Sequence, residues 1–146
     1  HRVHSPVSGK IKRVVHIPGA LWPVNQWSTE NIHELFSINE RVLVEIETER
    51  GLVGVMFVGA TNVGQIVLSF DSEIRGNQLL STAVYEKNYE KNYENLQINK
   101  GDELGMFRMG STVVMLYSKS IISGENSVNL IQNLQNQRVQ VNSNFI

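Results

Sequence analysis

Arg41-Val42-Leu43-Val44-Glu45-Ile46-Glu47-Thr48 decides the fold class of this chain. Val42, Val44 and Ile46 fall on one side of an extended backbone and Glu45 and Glu47 on the other, with Leu43 the exception. Side chains of a strand alternate with a period of two, so the stretch reads as a strand with one face in a core and one in water. Outward from it, residues 9–15, 52–58, 64–68 and 112–117 are β-branched and apolar runs with glycine or polar residues at most of their boundaries. Such runs suit a pleated, half-buried surface, and the chain reads as mainly β with short helices. Ser28 or Thr29 is placed to cap one helix through Phe36, and residues 129–134 suit another. Tyr85-Glu86-Lys87-Asn88 repeats at 89–92 and begins again at Tyr93. A period of four could line the tyrosines along a helix, but a surface insertion between strands is the preferred reading.

A chain of 146 residues that is 41% hydrophobic and holds only 3 prolines fits one globular domain with a real core. It contains no cysteine, which excludes disulfides, zinc–thiolate sites and thiol catalysis. The longest apolar stretch, residues 52–60, is far short of the roughly 20 residues a membrane-spanning helix needs. The formal net charge of −1 gives no reason to expect a nucleic-acid partner. The first acidic residue is Glu30, so Arg2, Lys10, Lys12 and Arg13 stand unopposed in the segment before it, most simply as a solvated face. The sequence opens on His1 without a methionine or signal-like residues and reads as a piece whose upstream part is missing.

Chemistry concentrates at Gly110-Ser111-Thr112, followed by the apolar run from Val113. A serine hydroxyl can attack the carbonyl of the residue before it, and a glycine there leaves that approach open and tolerates a strained backbone. The resulting ester can eliminate to dehydroalanine, which hydrolyses to an N-terminal pyruvoyl group, an electron sink made from the protein itself. Serine needs a base, and histidine is the usual one near neutral pH. The candidates are His1, His4, His16 and His33. His16 lies in an apolar run and reads as structural; His33-Glu34 lacks the second histidine of a metalloprotease helix and reads as surface. His1 and His4 are three apart, on opposite faces of a regular strand, so one metal ion could not take both unless the chain turns, and no metal site is expected.

Four ordered segments carry a resemblance: His1-Arg2-Val3-His4-Ser5-Pro6, Pro18-Gly19-Ala20-Leu21-Trp22-Pro23-Val24-Asn25, Val58-Gly59-Ala60-Thr61-Asn62-Val63-Gly64 and Phe107-Arg108-Met109-Gly110-Ser111-Thr112-Val113-Val114, with Asn39-Glu40-Arg41-Val42 between the second and third. Together they resemble the phosphatidylserine decarboxylases, whose processing site is usually Leu-Gly-Ser-Thr; Met109 stands here in place of the leucine. The resemblance runs over about residues 1–134. It implies scission between Gly110 and Ser111, leaving residues 1–110 in a β chain and 111–146 as the α chain of one precursor. Ser111 would supply the pyruvoyl cofactor on which phosphatidylserine forms a Schiff base and loses carbon dioxide, giving phosphatidylethanolamine. His4 matches the base for self-cleavage and His1 the residue handling a proton during decarboxylation. The aspartate that completes the family's cleavage triad falls upstream of His1, so no residue of this sequence is assigned to it.

Glycines allow backbone to approach a ligand closely, so Gly59, Ala60, Thr61 and Gly64 are expected either to bind substrate or to make a tight connection between strands. Gln26 stands where the family often has histidine after Val-Asn, and it is given no catalytic role. Val139-Gln140-Val141-Asn142-Ser143 replaces a glycine-containing turn of the family. Ser5-Pro6-Val7-Ser8-Gly9-Lys10-Ile11 resembles the opening of lipoyl-type domains, which implies a barrel-sandwich β core. A peripheral position on the cytoplasmic side of the cell membrane follows from the resemblance, and a homodimer is compatible with it. Leu21, Trp22 and Trp27, in a loop bounded by proline and glycine, suit a membrane interface, and the basic residues nearby would attract anionic headgroups; Trp22 in the core is the competing expectation. An alternative function is a phosphohistidine carrier like the glucose-type sugar phosphotransferase modules, with His4 as the phosphorylated residue.

Overall fold

The alternation in residues 41–48 is realised in a computed structural model that describes residues 1–63, 65–74, 76, 83–89, 95–110, 112–122 and 138. In chain order the elements are β1 (Arg2–His4), β2 (Gly9–Ile17), α1 (Gln26–Asn31), α2 (Leu35–Ile38), β3 (Arg41–Thr48), β4 (Gly51–Val58), β5 (Ile66–Leu68), β6 (Tyr85–Asn88), β7 (Gln97–Ile98), β8 (Glu103–Phe107), β9 (Val113–Tyr117) and α3 (Lys119–Ile122). Val42, Val44 and Ile46 of β3 are fully buried, as the period of two requires.

The strands form two antiparallel sheets. One has the order β1-β8-β5; the other has six strands in the order β6-β2-β3-β4-β9, with β7 also pairing β2. Among the described residues neither sheet closes into a barrel. Ile11, Val14, Val44, Val55 and Phe57 of the larger sheet share one buried cluster with Ile66, Leu68, Leu104 and Phe107 of the smaller. Phe57 and Phe107 meet across it with ring centroids 5.3 Å apart, a favourable tilted contact.

Two expectations need correction. The first helix starts earlier than Ser28, because Asn25 takes the cap: its side-chain oxygen accepts from the Ser28 amide at 2.8 Å. Asparagine caps at least as well as serine. The helix stops at Asn31, and α2 begins after Glu34, which adopts a left-handed backbone (φ 55°).

The tyrosine repeat is also not a plain insertion. Its first unit is β6, paired to the open side of β2 from His16↔Tyr85 to Arg13↔Asn88. Tyr89 is buried: its hydroxyl donates to Asp71, its ring meets Phe70 at 5.9 Å, and the Lys87 ammonium sits 5.3 Å above it. Burial pushes the Asp71 carboxyl up, but the bonds from Lys87 and Tyr89 and the Glu73 amide outweigh it and hold the group below the ordinary carboxylate range. The helix expected at 129–134, the altered turn at 139–143 and the repeat beyond Tyr89 up to residue 94 lie outside the described residues.

Candidate active site

Gly110 lies at the end of β8's extension and just before β9, with Thr112 accepting from the Val58 amide at 3.0 Å. Its backbone is left-handed (φ 60°), and a Cβ there would lie 2.8 Å from the Asn62 carbonyl oxygen. The left-handed backbone disfavours an L side chain and the contact with a backbone oxygen would force the chain to shift, so the fold itself favours glycine here. Ser111 and Gly64 lie outside the described residues.

The end of β8 and residues 62–63 meet at Gly110. Met109 donates to the Val63 carbonyl at 2.9 Å and Arg108 to Gln65 at 3.1 Å, which seats the end of β8 against residues 59–63. Gly59 and Ala60 are buried and Thr61 is exposed, its hydroxyl bonded to the Leu21 carbonyl. Gly59 donates its amide to Glu40 at 2.7 Å and Val63 to Ala60 at 3.0 Å, so the fold itself engages those two groups. Among the described residues, the amides of Ala60, Thr61 and Asn62 make no hydrogen bond.

β1 brings the histidine pair alongside β8. The His1 nitrogen donates to the Phe107 carbonyl at 2.8 Å and the His1 carbonyl accepts from the Phe107 amide at 2.8 Å, three residues before Gly110. His4 is half-buried and stands opposite Glu103, at the other end of β8. The register shifts between Val3 and His4, so strict alternation of faces does not run through the pair. Glu103 escaped the sequence reading because nothing local ties it to His4, 99 residues away in the chain. Its carboxyl is held low by the hydrogen bond from Arg2, with His4 adding a smaller electrostatic contribution.

The other histidines match their expectations. His16 is buried with its Nε2 2.7 Å from Glu40 Oε1, and His33 is exposed. Among the described residues no group of acidic or histidine side chains is arranged to hold a metal ion.

The basic segment is not an unopposed patch once folded. Arg2 pairs with Glu103, Lys12 with Glu47, and Arg13 with Glu45 and Glu86; the hydrogen bonds to Glu45 first and Glu86 second hold the Arg13 guanidinium protonated more firmly than usual. The acids come from β3, β6 and β8, which sequence windows around the basic residues do not contain. Trp22 is not core: it is 50% exposed, and Trp27, Phe36 and Ile38 are exposed beside it in sequence, as is Met109 next to the glycine. Among the described residues no helix is long and apolar enough to cross a membrane.

The profile of the family described as phosphatidylserine decarboxylase matches residues 1–146. A phosphatidylserine decarboxylase proenzyme from Francisella philomiragia is 35% identical over 145 residues, 99% of this chain and 49% of its own length. One from Anaeromyxobacter is 40% identical over 117 residues (80% and 40%), and one from Campylobacter jejuni 38% over 123 residues (84% and 44%). The chain spans about half the length of the curated relatives it matches.

Proposed function

Because the chain belongs to the phosphatidylserine decarboxylase family, we propose that the whole protein converts phosphatidylserine to phosphatidylethanolamine and carbon dioxide at a pyruvoyl group made from Ser111. The observation that carries the reading is the left-handed Gly110 wedged against Asn62, at the bond where self-cleavage would occur. A side chain on the residue whose carbonyl must be attacked would force that cradle to shift. Neither the family match nor the relatives point to a phosphohistidine carrier. A lipoyl-like arrangement of the two sheets belongs to the same reading, since both sheets supply one core.

Scission balances as follows. The Ser111 Oγ attacks the Gly110 carbonyl carbon while a base takes its proton, the role the family gives to His4, which would have to reach Ser111 from its place opposite Glu103; the C–N bond breaks and the new amine receives a proton, leaving an ester. A base then removes the Cα proton of residue 111 as the Cβ–O bond breaks and the Gly110 carboxylate leaves, giving dehydroalanine, which tautomerises to an imine, takes up water and loses ammonia to leave the ketone at the head of residues 111–146. That ketone supplies the electron sink for departure of the substrate carboxylate. His1, tied to Phe107 at the Gly110 end of β8, returns a proton to the substrate carbon. The amides of Ala60, Thr61 and Asn62, in the turn whose Asn62 carbonyl lies under Gly110, would be the donors for an anionic oxygen.

The two histidines separate experimentally in the full-length protein. Wild type should appear as two chains and release phosphatidylethanolamine. His4→Ala should remain one chain, while His1→Ala should be cut and turn over slowly, by roughly 10²-fold or more. Normal cutting and wild-type turnover in both variants would remove these roles.

Substrate access belongs to the same proposal. Trp22, Trp27, Phe36 and Ile38 form the exposed apolar part of residues 20–39, and indole suits an interface because its ring is apolar and its N–H polar. With most of the nearby cations already paired to acids, contact with a peripheral, cytoplasmic-side membrane surface would rest on these side chains rather than on charge. Trp22→Ala should therefore weaken binding to phosphatidylserine vesicles and blunt the fluorescence change on mixing, in low and in physiological salt alike. Unchanged binding with unchanged emission would rule the loop out as the contact.

A further inference from the structure

Asn39 has no solvent exposure, and a buried amide must find partners for one acceptor and two donors. All are supplied by backbone. Its Oδ1 accepts from the Trp22 amide at 2.9 Å, and its Nδ2 donates to the Trp22 carbonyl at 2.8 Å and the Gly59 carbonyl at 3.0 Å. One side chain thus reads both backbone groups of Trp22 as a neighbouring strand would, and spends its remaining hydrogen on the first residue of the 59–63 turn.

The surrounding backbone reinforces the same junction. Ala20 donates to Ile38 at 2.8 Å, Glu40 to Ala20 at 2.8 Å and Gly59 to Glu40 at 2.7 Å. Gly19 is needed for that approach, since a Cβ there would lie 2.7 Å from the Glu40 nitrogen. The Thr61 hydroxyl adds a bond to Leu21, and Glu40 is anchored to β2 through His16 at 2.7 Å. From this junction the turn runs to Asn62, whose carbonyl oxygen underlies Gly110, and to Val63, which accepts from Met109.

We propose that Asn39 is a positioning residue for self-cleavage: it fixes the 59–63 turn, and through it the left-handed Gly110 whose carbonyl is presented to Ser111. The proposal rests on the reading that the Gly110–Ser111 bond is cut. Asn39 touches neither reacting atom; its effect is on their alignment, where a displacement of about 1 Å can cost 10²-fold.

The test uses the full-length protein, timing scission on denaturing gels after synthesis and checking fold by thermal melting. Asn39→Ala should melt cooperatively and be cut at least about 10-fold more slowly. Hydroxylamine, which cuts oxygen esters, should not restore its rate, because the slow step precedes the ester. Thr61→Val, at an exposed residue, should slow scission less, and Thr61→Ser, which keeps the hydroxyl, should restore it. A folded Asn39→Ala protein cut at the wild-type rate, or rescued by hydroxylamine, would overturn the role. Should Asn39→Ala fail to fold, wild-type scission in Thr61→Val would overturn it equally. An uncut wild type would instead condemn the scission reading itself.

Discussion

Full-length protein carrying Ser111→Ala is expected to run as a single chain on a denaturing gel and to release no phosphatidylethanolamine. Wild type should give two chains, the smaller beginning with a pyruvoyl group by mass spectrometry. The reason is local: no neighbouring side chain offers a second nucleophile, since Gly110 has none and the chain lacks cysteine. Thr112 carries a hydroxyl, but it would have to attack the carbonyl of residue 111, and its own carbonyl is engaged by Val58. The loss should be complete rather than graded, because the variant lacks the atom from which the ketone is made. Full decarboxylase activity in Ser111→Ala would end the proposed chemistry.

The largest expected stability effect lies in the core, at Phe57. It has no solvent exposure and stacks on Phe107 between the two sheets. Phe57→Ala should cost roughly 3–5 kcal/mol, the transfer of the ring plus the cavity left behind. At this chain length about 1 kcal/mol moves Tm by roughly 2–4 °C, so a drop on the order of 10 °C is expected. Ser111→Ala is the right background, since an uncut chain unfolds as one molecule. Phe36→Ala removes the same ring from an exposed position and should change stability by only about 0.5 kcal/mol. Equal losses in the two variants would show that Phe57 is not the keystone of the core.

Much of this was legible beforehand, for physical reasons that differ by element. β3 could be read because alternation is a local pattern, and β4 because a long apolar run bounded by glycine has few other uses. β6 could not: Tyr-Glu-Lys-Asn has no apolar alternation, and its strand state comes from the open side of β2 and the burial of Tyr89. The pairs of Arg13 with Glu45 and Glu86 span 32 and 73 residues, beyond any window of sequence. At the site, Gly110 and His1 were nominated by motif, and the fold adds why glycine is favoured there. Asn39 stood in a segment quoted for the resemblance, but its bonds to Trp22 and Gly59 could not be read there, because a buried amide that bonds only to backbone carries no pattern of its own. Trp22 is exposed, as the interface reading of its loop expected, and the competing expectation from the average burial of tryptophan does not hold there.

β9 pairs with β4 at five positions, from Phe57↔Val113 to Val53↔Tyr117, and begins just after Gly110. Cutting before residue 111 would therefore not shed the short piece; it would turn a strand pairing within one molecule into an assembly of two. Order in time follows. The sheet has to be complete before the cut, for a free segment 111–146 would have to find its edge by collision. Molecularity changes with it: refolding of the uncut precursor is first order, whereas the cut pair, once separated, reassembles at a rate that depends on concentration. A precursor cut in this way would act as a template used once, and the cut protein would keep a structure that its separated chains would regain only slowly at low concentration.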